Sequence, residues 1–499
     1  MSHISIIGSG FSGLSAASYL AKAGHQVHVY EKNSGAGGRA RQLKTASGYV
    51  FDMGPSWYWM PDVFESYFND FGHKVDDFYE LKLLDPSFDM VFENNQLLSI
   101  PASYNKLKEL FERLERGSAV KLDKFMEQAR FKYETGMKKM AEMPGLSLME
   151  FADRSLFSTA LGLDIFSSFS GHVRKYFKHP YLTALMEFPV LFLGAMPSDM
   201  PALYSLMNYA GLKLGTWYPK GGFAKVVESM VDVCRMNGVR FSFDAEVEEI
   251  LIKDNLVEGI RVNGKQVTCD AIVASADYHH VESMLLPEQY RNYTSAYWSK
   301  KTFAPSCLIY YLGINKKIRN LRHHTLFFDA DLARHSREIY KNPSWPSKPL
   351  FYVCCASRSD EGCAPAMHEN LFLLMPIAPG LNDDESTREK YFQIMIKRLE
   401  SLTGEENLVS HIDFKKSYCV SDFISDYHSY KGNAYGLANT LMQTAILKPK
   451  MKNKKIPNLF YAGQLTVPGP GVPPGIISGK IAARQLEKYL KHQQYEIDI

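Results

Sequence analysis

The alternation of apolar and polar positions divides the chain into stretches of different character. An uncharged run, Ile4-Ser5-Ile6-Ile7, reads as a buried strand, and Leu14, Ala17, Leu20 and Ala21 follow at helical spacing. The run Gln26-Val27-His28-Val29-Tyr30 then alternates as a second strand. Short strands are expected at 88–92 and 97–100. From about 105 to 213 helical periodicity takes over, with Leu107, Leu110, Phe111, Leu114, Phe125 and Met126 on the apolar side. At Tyr218-Pro219-Lys220-Gly221-Gly222 the pattern returns to α/β. A helix over 223–236 leads to strands over 239–243 and 245–250, and a hairpin turns at Val262-Asn263-Gly264-Lys265. The run 271–277, apolar but for Ser275 and the closing Asp277, reads as a fully buried strand. Between about 300 and 415, strands at 308–312, 350–353 and 371–374 are separated by polar loops. A last strand at 458–464 enters a Pro/Gly loop that opens a helix near Ile476.

The chemistry concentrates where the first strand meets the first helix. Gly8-Ser9-Gly10-Phe11-Ser12-Gly13 is a Gly-x-Gly-x-x-Gly turn between strand and helix, and the second strand ends at Glu31, next to Lys32. In such a unit Gly8 makes the turn and Gly10 lets the backbone approach a pyrophosphate. Gly13 lets the helix pack on the strand, and Glu31 accepts the ribose hydroxyls. The helix N-terminus offers free N–H groups to the phosphate. A second glycine pair, Gly37-Gly38-Arg39, follows, and then Phe51-Asp52-Met53-Gly54-Pro55. Near the other end, Tyr461-Ala462-Gly463-Gln464 runs into a loop containing Gly471, Val472 and Pro473. Such a loop presents bare backbone N–H groups beside a ligand.

Length and composition narrow the picture. At 499 residues the chain predicts two or three domains, and 45% hydrophobic with 22% charged residues is ordinary for a globular protein. A net charge of +3 without a basic aromatic stripe argues against nucleic acid as a partner. The seven cysteines are odd in number, scattered and free of CxxC, which points to a reduced, cytoplasmic compartment. Cys354, Cys355, Cys363 and His368 match no zinc spacing, so no metal is expected. The uncharged first 21 residues lack a basic leader region and carry the nucleotide glycines. The uncharged stretch 456–479 holds five prolines and five glycines, so no spanning helix is expected in either. Lys448, Lys450, Lys452, Lys454 and Lys455 read as a solvated basic loop, with anionic lipid as a second reading.

Together the unit through Arg41, the Phe51-Asp52-Met53-Gly54-Pro55 stretch and the Ala462 to Pro473 loop resemble the FAD-containing amine oxidase superfamily. Within it they resemble the bacterial-type phytoene desaturases of carotenoid synthesis. The resemblance implies an α/β fold with a Rossmann-like FAD-binding domain, a mixed-sheet substrate domain and a helical, membrane-associating lobe. The FAD-binding domain would be discontinuous over 1–75, 215–300 and 415–499. The substrate sheet would take 76–105 and 301–414, and the helical lobe 106–214. FAD would lie along Gly8, Gly10, Phe11, Ser12, Gly13, Glu31, Lys32, Gly37, Gly38 and Arg39. It would continue past Gly54, Pro55, Gly463, Gly471, Val472 and Pro473, with the backbone of Val247 facing the adenine.

The family's proposed acid/base pair falls on Glu127 and Arg130, a glutamate standing where relatives have aspartate, and Val467 stands where many relatives have histidine. As residues alone, Glu127 and Arg130 also read as a helical i, i+3 surface salt bridge. The implied reaction is successive hydride abstraction from phytoene to the flavin with proton loss, giving neurosporene or lycopene. The implied partners are a long apolar carotenoid, a membrane surface and a quinone or oxygen as electron acceptor, with the protein cytoplasmic and peripherally attached to the inner membrane. A 1-hydroxycarotenoid 3,4-desaturase shares the scaffold. A Rab-escort-like prenyl-protein binding module without flavin is a different class, and the intact glycine set counts against it.

Overall fold

In the computed structural model, residues 1–136, 164, 167–444 and 447–497 are described. Much of the middle of the expected helical lobe, 137–163 with 165 and 166, lies outside them. Five parallel strands form the first sheet, in the order Leu459–Tyr461, Ala271–Ala274, His3–Ile7, Gln26–Tyr30, Arg240–Ser242. Strands from both ends and the middle of the chain therefore lie side by side; Leu459–Tyr461 and Ala271–Ala274 are fully buried, while Arg240–Ser242 at the opposite edge is partly exposed. The helix Phe11–Lys22 packs against the C-terminal helix Val472–Ile497 and against the helix Phe223–Met236. The approach of the first and last helices depends on glycine. A Cβ at Gly479 would lie 2.3 Å from the Ser12 carbonyl oxygen, and Ser15 donates to the Ile476 carbonyl at 2.7 Å. A small antiparallel sheet, Val247–Lys253, Leu256–Val262 and Lys265–Thr268, flanks this unit. Its second hairpin turns at the expected Asn263-Gly264, both at positive φ.

The second layer is a seven-stranded mixed sheet. Its order is Ile412–Tyr418, Ser306–Ile314, Glu369–Ile377, Phe351–Cys354, His324–Phe327, Phe88–Phe92, Gln96–Ile100. Only His324–Phe327 and Phe88–Phe92 pair in parallel. Every residue of Ser306–Ile314 is buried, because the sheet is covered on both faces. The two-residue period sorts them. Leu308, Tyr310 and Leu312 face one core, shared with Tyr391, Phe392, Met395, Ile396 and Leu399 of the helix Glu385–Thr403. Cys307, Ile309 and Tyr311 face the other.

This corrects the expectation of polar loops between the strands of 300–415. Two helices, Leu332–Tyr340 and Glu385–Thr403, lie there. The second carries its apolar residues on a single stripe among charges. It is capped by Asp384, which accepts from the Thr387 N–H at 2.9 Å, and is closed by Gly404 in the left-handed region.

The described helical segments between 104 and 212 meet the second sheet near one edge, where Tyr181 stacks on Phe92 at 3.9 Å and Phe188 lies against Phe88 at 5.1 Å. Among the described residues no helix is long and apolar enough to cross a membrane. The lysine cluster does not form one solvated face. Lys454 and Lys455 are exposed, Lys450 and Lys452 are half-buried, and Lys448 is 3% exposed with its Nζ unpartnered.

Candidate active site

A long cavity runs from the carboxyl ends of the parallel strands to the second sheet. Gly10, the residue before the first helix, has no side-chain cap, so the helix's first N–H groups face this space. A Cβ at Gly10 would meet no protein atom within 4 Å. Gly37 and Gly38, both at positive φ, bring a second loop to within contact of Gly10. From the far end of the chain, Gly463, Gly471 and Val472 deliver the start of the C-terminal helix to the same cavity. Two helix N-termini thus converge on one elongated space, which favours an anionic ligand.

Glu31 is buried at one end of the cavity. Its carboxylate accepts from the N–H and hydroxyl of Ser9 at 2.9 and 2.8 Å, and from the N–H and side-chain amide of Asn33 at 3.0 and 2.8 Å. Lys32, also on the wall, donates to the Ser425 carbonyl at 2.8 Å. The backbone strand at Val247 closes this end, with His280 and His428 stacked 3.9 Å apart nearby. Arg39 and Asp277 line the middle. Burial lowers the Arg39 guanidinium's proton affinity, with Asp277 opposing, and burial pushes the Asp277 carboxyl up to about 6, with Arg39 opposing. Arg39 Nε and Asp277 Oδ2 are buried without partners. These orphaned groups, the open space above Gly10 and the anchored Glu31 fit a flavin dinucleotide.

Of the residues expected to hold the cofactor, Gly8, Gly10, Phe11, Ser12, Glu31, Lys32, Gly37, Gly38 and Arg39 line this cavity. So do Gly54, Pro55, Val247, Gly463, Gly471 and Val472. Gly13 and Pro473 do not. A Cβ at Gly13 would lie 2.0 Å from the Gly8 carbonyl oxygen, so Gly13 serves helix–strand packing, the role its position in the motif gives it. Pro473 sits in the first turn of the C-terminal helix, between the lining residues Val472 and Gly475. Glu127 and Arg130 are not brought to the site. Both are exposed on the helix Ser118–Thr135, and neither lines a described cavity. Among the described residues no ion pair joins them.

Sequence reasoning missed Asp277, Cys307, Asp426, Tyr427, His428 and Tyr435. Asp277 was within reach, as the polar residue that ends the buried strand at the carboxyl edge of the sheet. The others carry no local signal, because segments distant in sequence bring them in: Cys307 comes from the strand Ser306–Ile314, and Asp426 and Tyr427 from the end of the helix Val420–Tyr427.

At its inner end the cavity meets a second, apolar one. The two share Leu374 and Tyr435. Phe188, Leu191, Phe328, Ile339 and Tyr352 line the second cavity, between the helical region and the second sheet. Its wall is almost wholly hydrocarbon and aromatic, which suits a ligand without polar handles. A cofactor ring at the inner end of the first cavity would face this apolar passage across Tyr435.

Comparison with known proteins agrees with this geometry. Residues 11–486 match the family of flavin-containing amine oxidoreductases. The chain is 39% identical over 486 residues to a carotenoid 3,4-desaturase of Haloarcula japonica, covering 97% of each. It is 28% identical to a zeta-carotene-forming phytoene desaturase of Myxococcus xanthus, over 97% of this chain and 93% of that one. Among solved structures, an oxidoreductase from Methanosarcina mazei shares the fold, with a TM-score of 0.61 at 15% identity over 96% of this chain and 99% of the other. This chain is an FAD-dependent oxidoreductase belonging to the flavin-containing amine oxidoreductase family and, within it, to the carotenoid desaturases.

Proposed function

We propose that the protein desaturates a linear carotenoid at the 3,4 position, in preference to the phytoene suggested by its sequence motifs. The observation that carries this reading is 39% identity, end to end, to a carotenoid 3,4-desaturase, against 28% to a phytoene desaturase. Bound FAD would supply a hydride acceptor for an allylic C–H bond of the substrate. The protein's part is burial and alignment. The apolar cavity takes one end of the polyene by removing its surface from water, worth roughly 25 cal/mol per Å² of apolar area. Leu374 and Tyr435, shared by the two cavities, fix where the chain meets the flavin. An allylic cation is stabilised by delocalisation, so proton loss needs no strongly activated base, in keeping with an apolar lining.

The substrate is a water-insoluble hydrocarbon, and the protein would collect it from a membrane surface. Leu441, Met442 and Leu447, all exposed, are the residues we assign to that contact. Expression in two hosts tests the reaction, one accumulating phytoene and the other a linear 1-hydroxycarotenoid. The hydroxycarotenoid should gain a double bond, shifting its absorption to longer wavelength, while phytoene stays unchanged. The opposite pattern would overturn the 3,4 assignment and restore phytoene as substrate.

A further inference from the structure

The strands His324–Phe327 and Phe351–Cys354 pair so that His324 stands directly opposite Cys354. His323 precedes the strand and folds its ring against that of His324, centroids 4.4 Å apart. One ring nitrogen of each histidine and the Cys354 Sγ lie within 4.8 Å of one another, all buried. Both nitrogens of His323 and Nε2 of His324 have no hydrogen-bond partner, although the residues are 6% and 0% exposed. Burying an imidazole nitrogen without a partner is costly, and a shared ligand would engage one orphaned nitrogen on each histidine.

We infer that His323, His324 and Cys354 form a site for a soft transition metal, zinc or copper(I). Imidazole and thiolate donors select these ions over magnesium or calcium. Bond lengths of roughly 2.0–2.3 Å put the donors of a tetrahedral site about 3.5 Å apart, so binding draws the three side chains inward by about 1 Å. Cys354 binds as thiolate and gives up its proton. The supporting contacts are in place. His324 Nδ1 is held at 2.6 Å by the Tyr352 hydroxyl, which in turn meets Ser56 Oγ at 2.9 Å. With Nδ1 protonated and donating to Tyr352, Nε2 is free to ligate. Trp57 stacks flat on the His324 ring at 4.2 Å, and Tyr218 packs on His323 while donating to Asp360. The ion would fix Tyr352, a wall of the apolar cavity, and so stiffen the passage that receives the substrate. This site does not depend on which carotenoid is used.

The test is metal content of the flavin-loaded protein, purified without a histidine tag after growth in medium supplemented with zinc and copper. Wild type should carry close to one ion per chain. Cys354→Ser and His324→Gln should lose it. Cys355→Ser, whose sulfur lies in the core on the opposite face of the sheet, should keep it. Tyr352→Phe should keep the ligands but weaken binding about 10–100-fold. Should the ligand variants fail to fold, wild type is treated with cobalt(II), which should raise a thiolate-to-metal charge-transfer band. Wild type that holds no metal and shows no such band, or Cys354→Ser with undiminished metal, overturns the site.

Discussion

Gly10→Ala separates the cofactor's needs from the fold's. The backbone at Gly10 has φ −70 and ψ 176, an extended conformation open to any residue. The added methyl meets nothing in the protein within 4 Å. The apoprotein should therefore be at least as stable as wild type, by about 0.4–1 kcal/mol, since alanine restricts the unfolded chain. The same methyl projects into the space between the first helix and the Gly37-Gly38 loop, where a pyrophosphate would approach the backbone. Losing one charge-assisted hydrogen bond there costs about 1.5–3 kcal/mol, or roughly 10–150-fold in FAD affinity. Gly479→Ala is the counterpart. Its Cβ would sit 2.3 Å from the Ser12 carbonyl oxygen and 2.7 Å from Ser15 Cβ, so the two helices must part and the apoprotein should be destabilised. The assay is flavin absorbance per chain after dialysis, with the urea midpoint of the flavin-free protein alongside. A Gly10→Ala protein with wild-type FAD affinity would refute the placement of the pyrophosphate. A Gly10→Ala apoprotein that is clearly less stable would refute the claim that only the ligand fills that space.

Three further outcomes are expected. Burial pushes the Lys448 ammonium down from its ordinary 10.5 to about 7, so between those values the unfolded chain holds a proton the folded one lacks. Stability should accordingly rise with pH from about 7 towards 10. Lys448→Met should flatten that rise and stabilise the protein most at low pH, and urea unfolding of variant and wild type across this range checks it. Glu127→Gln, at an exposed position that lines neither cavity, should leave desaturation in the carotenoid host within about twofold of wild type, as surface changes do. A large loss would return Glu127 to the chemistry. Replacing Leu441 and Met442 together by serine should reduce co-flotation with phospholipid vesicles without altering flavin content, whereas unchanged flotation would move the membrane contact elsewhere.

What the sequence disclosed and what it withheld follow from the range of the interactions involved. The Gly8 to Gly13 turn, Glu31, the Gly37-Gly38 pair and the Gly463 loop were legible because each answers a local backbone demand that few residues meet. The Asn263-Gly264 hairpin was legible for the same reason. The strand Ser306–Ile314 announced itself by apolar content, but not that Cys307 and Leu308 serve different cores. That division comes from layers laid down by distant segments. The helix Glu385–Thr403 was overlooked because its apolar stripe is thin and charges surround it, although Asp384 and Gly404 mark its ends. Glu127 and Arg130 show the opposite case, since an i, i+3 acid and base fit a motif by spacing while the helix leaves both exposed and away from the described cavities. The His323-His324-Cys354 cluster marks the limit most clearly. No one-dimensional spacing relates residue 354 to residues 323 and 324. Only the antiparallel register does, and that register is set by the turn chemistry and packing of the whole second sheet. Motif spacing therefore finds sites built on one turn or one helix, while sites built across strands become visible only once the pairing is known.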